Sequence, residues 1–216
     1  MVKRDTKGRV VEAAVQLFNE RGTAAVSTNH IAREAGISPG NLYYHYRNKE
    51  EIVRAIFGRM ISAWEEMPAL PQDRMLTLTD LRRILRDTFS VLWEYRFFYR
   101  EFVALMRRDP ELGRCYRVVR EHGLANTEVI LESFVEGGVL REPEDPTAVP
   151  KMAKIIWLIT EFWLPFAEMG GETVGPDRSQ EGVGLMMQIL KPYMTEEALA
   201  ELSSDRQEIY TRGYKS

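Results

Sequence analysis

Asn41, Tyr43, Tyr44 and His45 fall within five consecutive residues of the segment 28–49, TNHIAREAGISPGNLYYHYRNK. A carboxamide, two phenols and an imidazole in so short a span suit recognition by hydrogen bonding rather than the making or breaking of bonds. The amide of Asn41 can pair bidentately with an adenine edge. Phenol and imidazole tips can bond phosphate, which carries affinity and register but no sequence information. Covalent chemistry lacks its usual parts. No GxSxG, HExxH or strand-preceded phosphate loop occurs, and Gly170-Gly171 and Gly182-Val183-Gly184 read as a linker between helices. The carboxylate pairs Glu65/Glu66 and Glu196/Glu197 are adjacent on exposed helix faces, and three His with one Cys lie scattered along the chain. We therefore expect no catalytic residue, no metal centre and no cofactor.

The elements that must hold these side chains are legible around them. Thr28 caps a short helix through its hydroxyl, and Ile31, Ala32 and Ala35 share one face. Gly36 ends that helix. Ser38 caps the next, with Pro39 in its first position, where a missing N–H costs nothing. Leu42 and Tyr46, four apart, anchor the second helix, and Gly40, Asn41, Tyr43, Tyr44 and His45 point elsewhere. Two short helices around a Gly-containing turn form a helix-turn-helix, whose second helix can enter the DNA major groove. Asn41 then lies in the first turn, where side chains reach bases. Gly40 lets backbone approach the groove. Thr28 and Lys49 hold phosphate, with a helix N-terminus beside Lys49, and Lys3, Arg4 and Lys7 add screened attraction. Tyr43 and Tyr44 carry two readings, half-buried packing or phosphate contact, and both stay open. His30 reads as solvated.

The ordered set of a leading helix, the Thr28 start, AGIS at 35–38, LYYHY at 42–46 and Lys49-Glu50-Glu51-Ile52 resembles the TetR family of bacterial transcription regulators over about sixty residues. The rest of the chain is similar to that family only in length and helical pattern. The resemblance implies a homodimeric, usually repressing, DNA-binding protein whose C-terminal domain binds a small molecule. It also implies that Asn29 occupies a position that sometimes reads a base, and that Tyr43, Tyr44 and His45 match the family's aromatic contacts.

The charge is divided in a way that fits. The 216 residues carry a net −3. Residues 1–60 hold ten Lys/Arg against six Asp/Glu, a net +4, and residues 61–216 hold nineteen against twenty-six, a net −7. Attraction for phosphate is thus confined to one end. A single cysteine, Cys115, excludes an intramolecular disulfide framework and suits a reducing cytoplasm. The basic N-terminus has no apolar signal core behind it. The most apolar run, residues 152–167, is short for a membrane span and is interrupted by Lys154, Thr160, Glu161 and Pro165. We expect a cytoplasmic protein without a membrane partner.

The fold class expected is all-α: an N-terminal three-helix DNA-binding domain at 1–49 and a helical ligand-binding and dimerisation domain at 50–216. A first helix covers 4–21, ended by Gly22, and a fourth at 48–67, capped by Asn48, connects the domains. Further helices are expected near 78–95, 97–107, 110–135, 146–169 and 180–191, with a short last one from Thr195, and a loop over 170–184. Trp93, Phe97, Phe102, Met106 and Trp157 are the candidate lining of an apolar effector pocket, with Glu101 or Arg100 as a polar anchor. Met152, Ile156, Ile159 and Trp163 step along one helix as a seam. Together with Val183, Met186, Met187 and Leu190 they suggest a four-helix homodimer interface. Val149, Ile155, Leu158 and Phe162 make a second apolar face on the same helix, and one of the two faces belongs to the core.

The function expected is a repressor released from a palindromic double-stranded operator by a small lipophilic or aromatic effector. Three alternatives stand beside it. One is gating by a protein partner, for which the acidic Glu196, Glu197, Glu201, Asp205 and Glu208 are the place to look. Another is gating by oxidation of Cys115, which Arg114 and Arg117 flank. The last is small-molecule binding without specific DNA recognition.

Overall fold

The computed structural model of the chain describes residues 5–67, 69–71, 73–170 and 179–213. Eleven α-helices make up the described residues: α1 Thr6–Ala25, α2 Thr28–Glu34, α3 Pro39–His45, α4 Lys49–Glu65, α5 Leu78–Glu94, α6 Arg96–Arg100, α7 Phe102–Arg108, α8 Pro110–Glu136, α9 Ala148–Met169, α10 Ser179–Leu190 and α11 Glu196–Gly213. A 3₁₀ turn, Lys191–Tyr193, follows α10, where Pro192 cannot continue the helix. The one extended pairing among the described residues is a single antiparallel bridge between Leu140 and Met194. The fold is all-α, as the periodicity predicts.

The chain packs as two compact units, and the boundary differs from a cut at residue 49. One unit is 1–67 with 91–117, and the other is 68–90 with 118–216. The whole of α4 therefore belongs to the first unit rather than connecting the two, and the segment expected at 97–107 belongs with it. That segment is two helices, because Glu101 leaves helical geometry and ends α6.

In the first unit α1, α4 and α6 meet around aromatic rings. Phe18 packs on Phe97 with centroids 5.1 Å apart, and Phe57 stacks on Phe98 at 5.3 Å. Val10, Leu17, Ile31, Leu42, Ile52 and Ile56 complete this core. Asn19 ties α1 to the end of α5: its amide donates to the Glu94 carbonyl at 2.8 Å and its carbonyl accepts from the Phe97 N–H at 3.0 Å. Near its end α1 breaks at Gly22. Glu101 covers the break, its carboxylate accepting the Thr23 N–H at 2.7 Å and the Thr23 hydroxyl. Arg100 donates to the Asn19 carbonyl at 3.1 Å. Glu101 and Arg100 thus both fasten α1.

The second unit is built on α5 up to residue 90, α8 from residue 118, α9 and α10. Thr77 and Asp80 cap α5 reciprocally, and Asp80 is buried against the Arg74 guanidinium at 2.6 Å. That guanidinium holds the Asp80 carboxyl well below the usual carboxylate range. Leu78, Leu81, Leu85 and Phe89 give α5 its buried stripe. Gly182 and Gly184 lie inside α10, not in a loop. Gly182 permits a close approach there, since a Cβ at this position would stand 2.0 Å from the Phe89 ring. Residues 171–178 of the expected loop lie outside the described residues. The last helix, capped by the Thr195 hydroxyl at 3.2 Å from the Ala198 N–H, runs eighteen residues rather than being short. The side chains of Asp205 and Glu208 lie outside the described residues.

Candidate nucleic-acid interface and adjoining cavity

Local hydrogen bonds fix the helix-turn-helix before any long-range packing is considered. Ser27, not Thr28, is the N-cap of α2; its hydroxyl accepts from the His30 N–H, and His30 Nδ1 accepts from the Ser27 N–H, both at 3.3 Å. His30 is therefore half of a capping box rather than a solvated side chain. Such a cap contributes about 1 kcal/mol. Gly36 takes φ +64° at the turn, a left-handed conformation that a side chain would strain. The Arg9 guanidinium donates to the Ala35 carbonyl and holds the turn from the α1 side. Ser38 caps α3 by accepting from the Asn41 N–H at 3.2 Å, with Pro39 in the first turn. Leu42 and Tyr46 are buried and seat α3 on Ile31 and Ala32, which have no exposed surface.

That seating decides what α3 presents. Gly40, Asn41, Tyr43 and Tyr44 are exposed and His45 is half-buried. Tyr44 is 84% exposed and free to turn toward a ligand, with His45 edge-on to it at 5.1 Å. Tyr43 is 50% exposed, and its hydroxyl shares a 2.9 Å hydrogen bond with Thr28. The bond links the first turn of α2 to α3 and orients both hydroxyls. Asn29 is exposed one residue into α2. The Asn41 carboxamide has no hydrogen-bond partner among the described residues, so all four of its hydrogen-bonding positions face outward.

Lys49 differs from a plain phosphate ligand. Its ammonium donates to the carbonyls of Thr23 and Val26, the latter at 2.9 Å, and so closes the end of α1. Burial and then the neighbouring Arg108 lower its pKa. One of its three donors is left for a phosphate. Asn48 caps α4 by accepting from the Glu51 N–H at 2.9 Å. Beside it Arg47 is exposed, with its backbone N–H on Glu51 and its guanidinium unpaired among the described residues. Nothing in the sequence marks Arg47, since a lone arginine after a buried tyrosine has no periodicity. Lys7 is exposed on α1, while Lys3 and Arg4 lie outside the described residues.

Two family models match in tandem: "Bacterial regulatory proteins, tetR family" over residues 10–56 and "Bacterial transcriptional repressor" over residues 59–202. The chain belongs to the TetR family of transcriptional regulators. Its helix-turn-helix is the family's DNA-binding domain, and the protein is a regulator rather than an enzyme. It is 32% identical to the fatty acid metabolism regulator protein of Bacillus subtilis over 145 residues, 66% of this chain and 75% of that one. It is 29% identical to TtgR of Pseudomonas putida over 91 residues, 41% of this chain and only 43% of that one. A TetR-family regulator from Marinobacter aquaeolei superposes with TM-score 0.84 at 31% identity, covering 94% of this chain and 98% of its own. SmeT of Stenotrophomonas maltophilia shares the fold, with TM-score 0.65 at 23% identity over 90% and 93% of the two chains.

The pocket residues expected from this TetR-family sequence do not assemble as one lining. Phe97 is core, packed on Phe18. Trp93 lies under the Arg96 guanidinium, 4.7 Å from its ring. Trp157 belongs to the second unit, where it crosses α8 at Gly123 and donates to Thr127 at 3.0 Å. Phe102 and Met106 alone meet, in an open cavity of about 400 Å3 in the first unit, with Pro110, Arg114, Tyr116 and Arg117.

The side chains expected at the dimer seam lie buried or half-buried. Met152, Trp163, Met186 and Leu190 are buried within the protomer, with Trp163 edge-on to Phe89 at 5.3 Å, and Ile156, Ile159, Val183 and Met187 are half-buried. The apolar side chains left outside are Ile155, Leu158, Phe162, Phe166 and Met169 on α9 and Leu185 on α10. On the same helix Glu161 is buried, one carboxylate oxygen has no partner, and burial pushes its carboxyl up to about 7. Cys115 is exposed. No described helix is long and apolar enough to cross a membrane.

Proposed function

We propose that the protein is a homodimeric repressor that reads a palindromic operator through α3 and leaves it when a small lipophilic or aromatic effector binds. The observation that carries the reading is the division of α3. Leu42 and Tyr46 are buried, while Asn41, Tyr44 and the Thr28–Tyr43 hydroxyl pair face outward. Asn41 supplies base readout. Tyr44, Thr28, Arg47 and the remaining donor of Lys49 supply phosphate contact, and Asn29, Tyr43 and His45 flank them. The outward apolar arc of α9 with Leu185 of α10 is the surface for a second copy, since an apolar patch of this extent is costly in water. A two-fold dimer presents two recognition helices to an inverted repeat. With no described membrane-crossing helix and DNA as its target, the protein works in the cytoplasm.

Effector release draws support from relatives. SmeT is described as the repressor of a multidrug efflux pump and has been captured with triclosan, and the Bacillus subtilis relative regulates fatty acid metabolism. In this chain the path from effector to DNA runs through the first unit. Arg54 of α4 pairs with Asp109 at 2.6 Å and with Glu111 at 3.4 Å, at the start of α8. A ligand that moves α7 against α8 moves this pair, and with it α4. The exposed Cys115 beside that junction keeps oxidation as a second way to move it. The test is a gel shift on a selected operator, run with a panel of lipophilic and aromatic compounds that stabilise the protein in thermal shift. At least one stabilising compound is expected to release DNA. Stabilisation without release by every such compound contradicts effector gating.

A further inference from the structure

The cavity between α7 and the first turns of α8 has a composition that ordinary packing does not explain. Its floor is aromatic and apolar, with Phe102 and Tyr116 edge to face at 4.7 Å and Met106 beside them. Its rim carries two guanidiniums, Arg114 and Arg117, and neither has an ion-pair partner among the described residues. The nearby carboxylates are already committed. Asp109 is bonded to Arg54 and to the Glu111 and Leu112 N–H groups, and Glu111 to Arg54. The Tyr116 hydroxyl, on a residue that lines the cavity, is buried with no hydrogen-bond partner. That hydroxyl is closed off from solvent, so Tyr116 meets the cavity through its ring. The volume of about 400 Å3 lies in the range that holds small organic molecules.

We propose that this cavity binds an amphipathic monoanion: a carboxylate on an aromatic or aliphatic body, with the body on Phe102, Met106 and Tyr116. Arg114 and Arg117 hold the carboxylate, for which a planar guanidinium offers paired donors. The site lies in the same unit as the helix-turn-helix, not among the helices of the second unit. Its wall begins at Pro110, next to the Asp109 that pairs with Arg54 of α4. Binding there pulls on the junction that steadies α4. The link to operator release rests on the effector reading above; the binding itself does not.

Calorimetry on the full-length, DNA-free protein tests the binding with octanoate against octanamide and 2-naphthoate against 2-naphthamide. Each pair has nearly the same shape; the amide lacks the charge and puts an NH2 donor where the acid has an acceptor oxygen. The carboxylate of at least one pair is expected to bind about tenfold or more tightly than its amide, and the preference should fall to within about twofold in R114Q/R117Q. Both arginines are exposed, so the variant keeps its fold, which circular dichroism checks. Met106→Trp, which fills the cavity, should abolish binding of acid and amide alike. Equal affinity for acid and amide, or no detectable binding of any of the four, overturns the proposal; so does a preference unchanged in R114Q/R117Q or binding unchanged in M106W. A parallel gel shift separates the two readings: tight carboxylate binding that leaves DNA bound supports the site and contradicts gating through it.

Discussion

The outward face of α3 and the outward face of α9 are both exposed, and they are opposites. The α3 face shows a carboxamide, phenols and glycine above a fully buried Leu42. The α9 face shows Leu158, Phe162 and Phe166, the last 73% exposed, while a carboxylate, Glu161, is folded inside. A polar face over an apolar anchor is what water or a nucleic acid tolerates. An apolar face over a buried acid is stable only with a cover. The contrast teaches that exposure alone does not name a partner; the chemistry left exposed does. By that measure α3 suits DNA, and α9 suits the second copy proposed for it.

The sharpest way to break the comparison is to charge the α9 face. Leu158→Glu with Phe162→Glu should turn a dimer into a monomer in sedimentation velocity and lower operator affinity about 100-fold or more, because the second half-site no longer binds intramolecularly. A double variant that stays dimeric would show that the apolar arc has another cover. Asn41→Ala should cost about 1–3 kcal/mol of operator binding and relax selection at one base per half-site, with the salt dependence unchanged. A loss equal across all sequences would move Asn41 to the phosphate backbone.

The buried side of α9 makes a pH-dependent prediction. Unfolded, the Glu161 carboxyl titrates near 4.5; folded, near 7. Between those values the folded chain keeps a proton that the unfolded chain has lost, so stability falls as pH rises through that window. Glu161→Gln should therefore stabilise the protein by about 1–2 kcal/mol at pH 8 and leave it unchanged at pH 4, read as thermal midpoints. Destabilisation at pH 8 would mean that the carboxylate has a partner. The smallest effect is expected from Tyr44→Phe, about 0.5–1.5 kcal/mol of operator affinity spread evenly over sequences, measured by gel shift.

What the sequence made legible was local. Gly36, Ser38-Pro39 and Asn48 place helix ends correctly because caps and breaks are settled by a few adjacent residues. What stayed hidden was set by neighbours far along the chain. Helical spacing marked two apolar faces on α9 but could not say which met Phe89, and Trp163 turned out to be the inward one. Gly182 and Gly184 resembled a loop by composition, yet the approach of Phe89 makes Gly182 a packing residue in a helix. In the sequence Lys49 resembles a free cation, yet the carbonyls of Thr23 and Val26, more than twenty residues away, lie within its reach. Of the expected pocket residues, Phe102 and Met106 share a cavity because they lie on one short helix, whereas Phe97, Trp93 and Trp157, equally large, lie elsewhere.

The most direct test of the central claim is selection of bound sequences from random duplex DNA with the purified protein, repeated with Asn41→Ala. The account predicts an inverted repeat, its half-site centres about 34–36 Å apart or a multiple of that, and one base per half-site relaxed by the variant. A single unrepeated half-site, or weak salt-sensitive binding with no consensus, would contradict it.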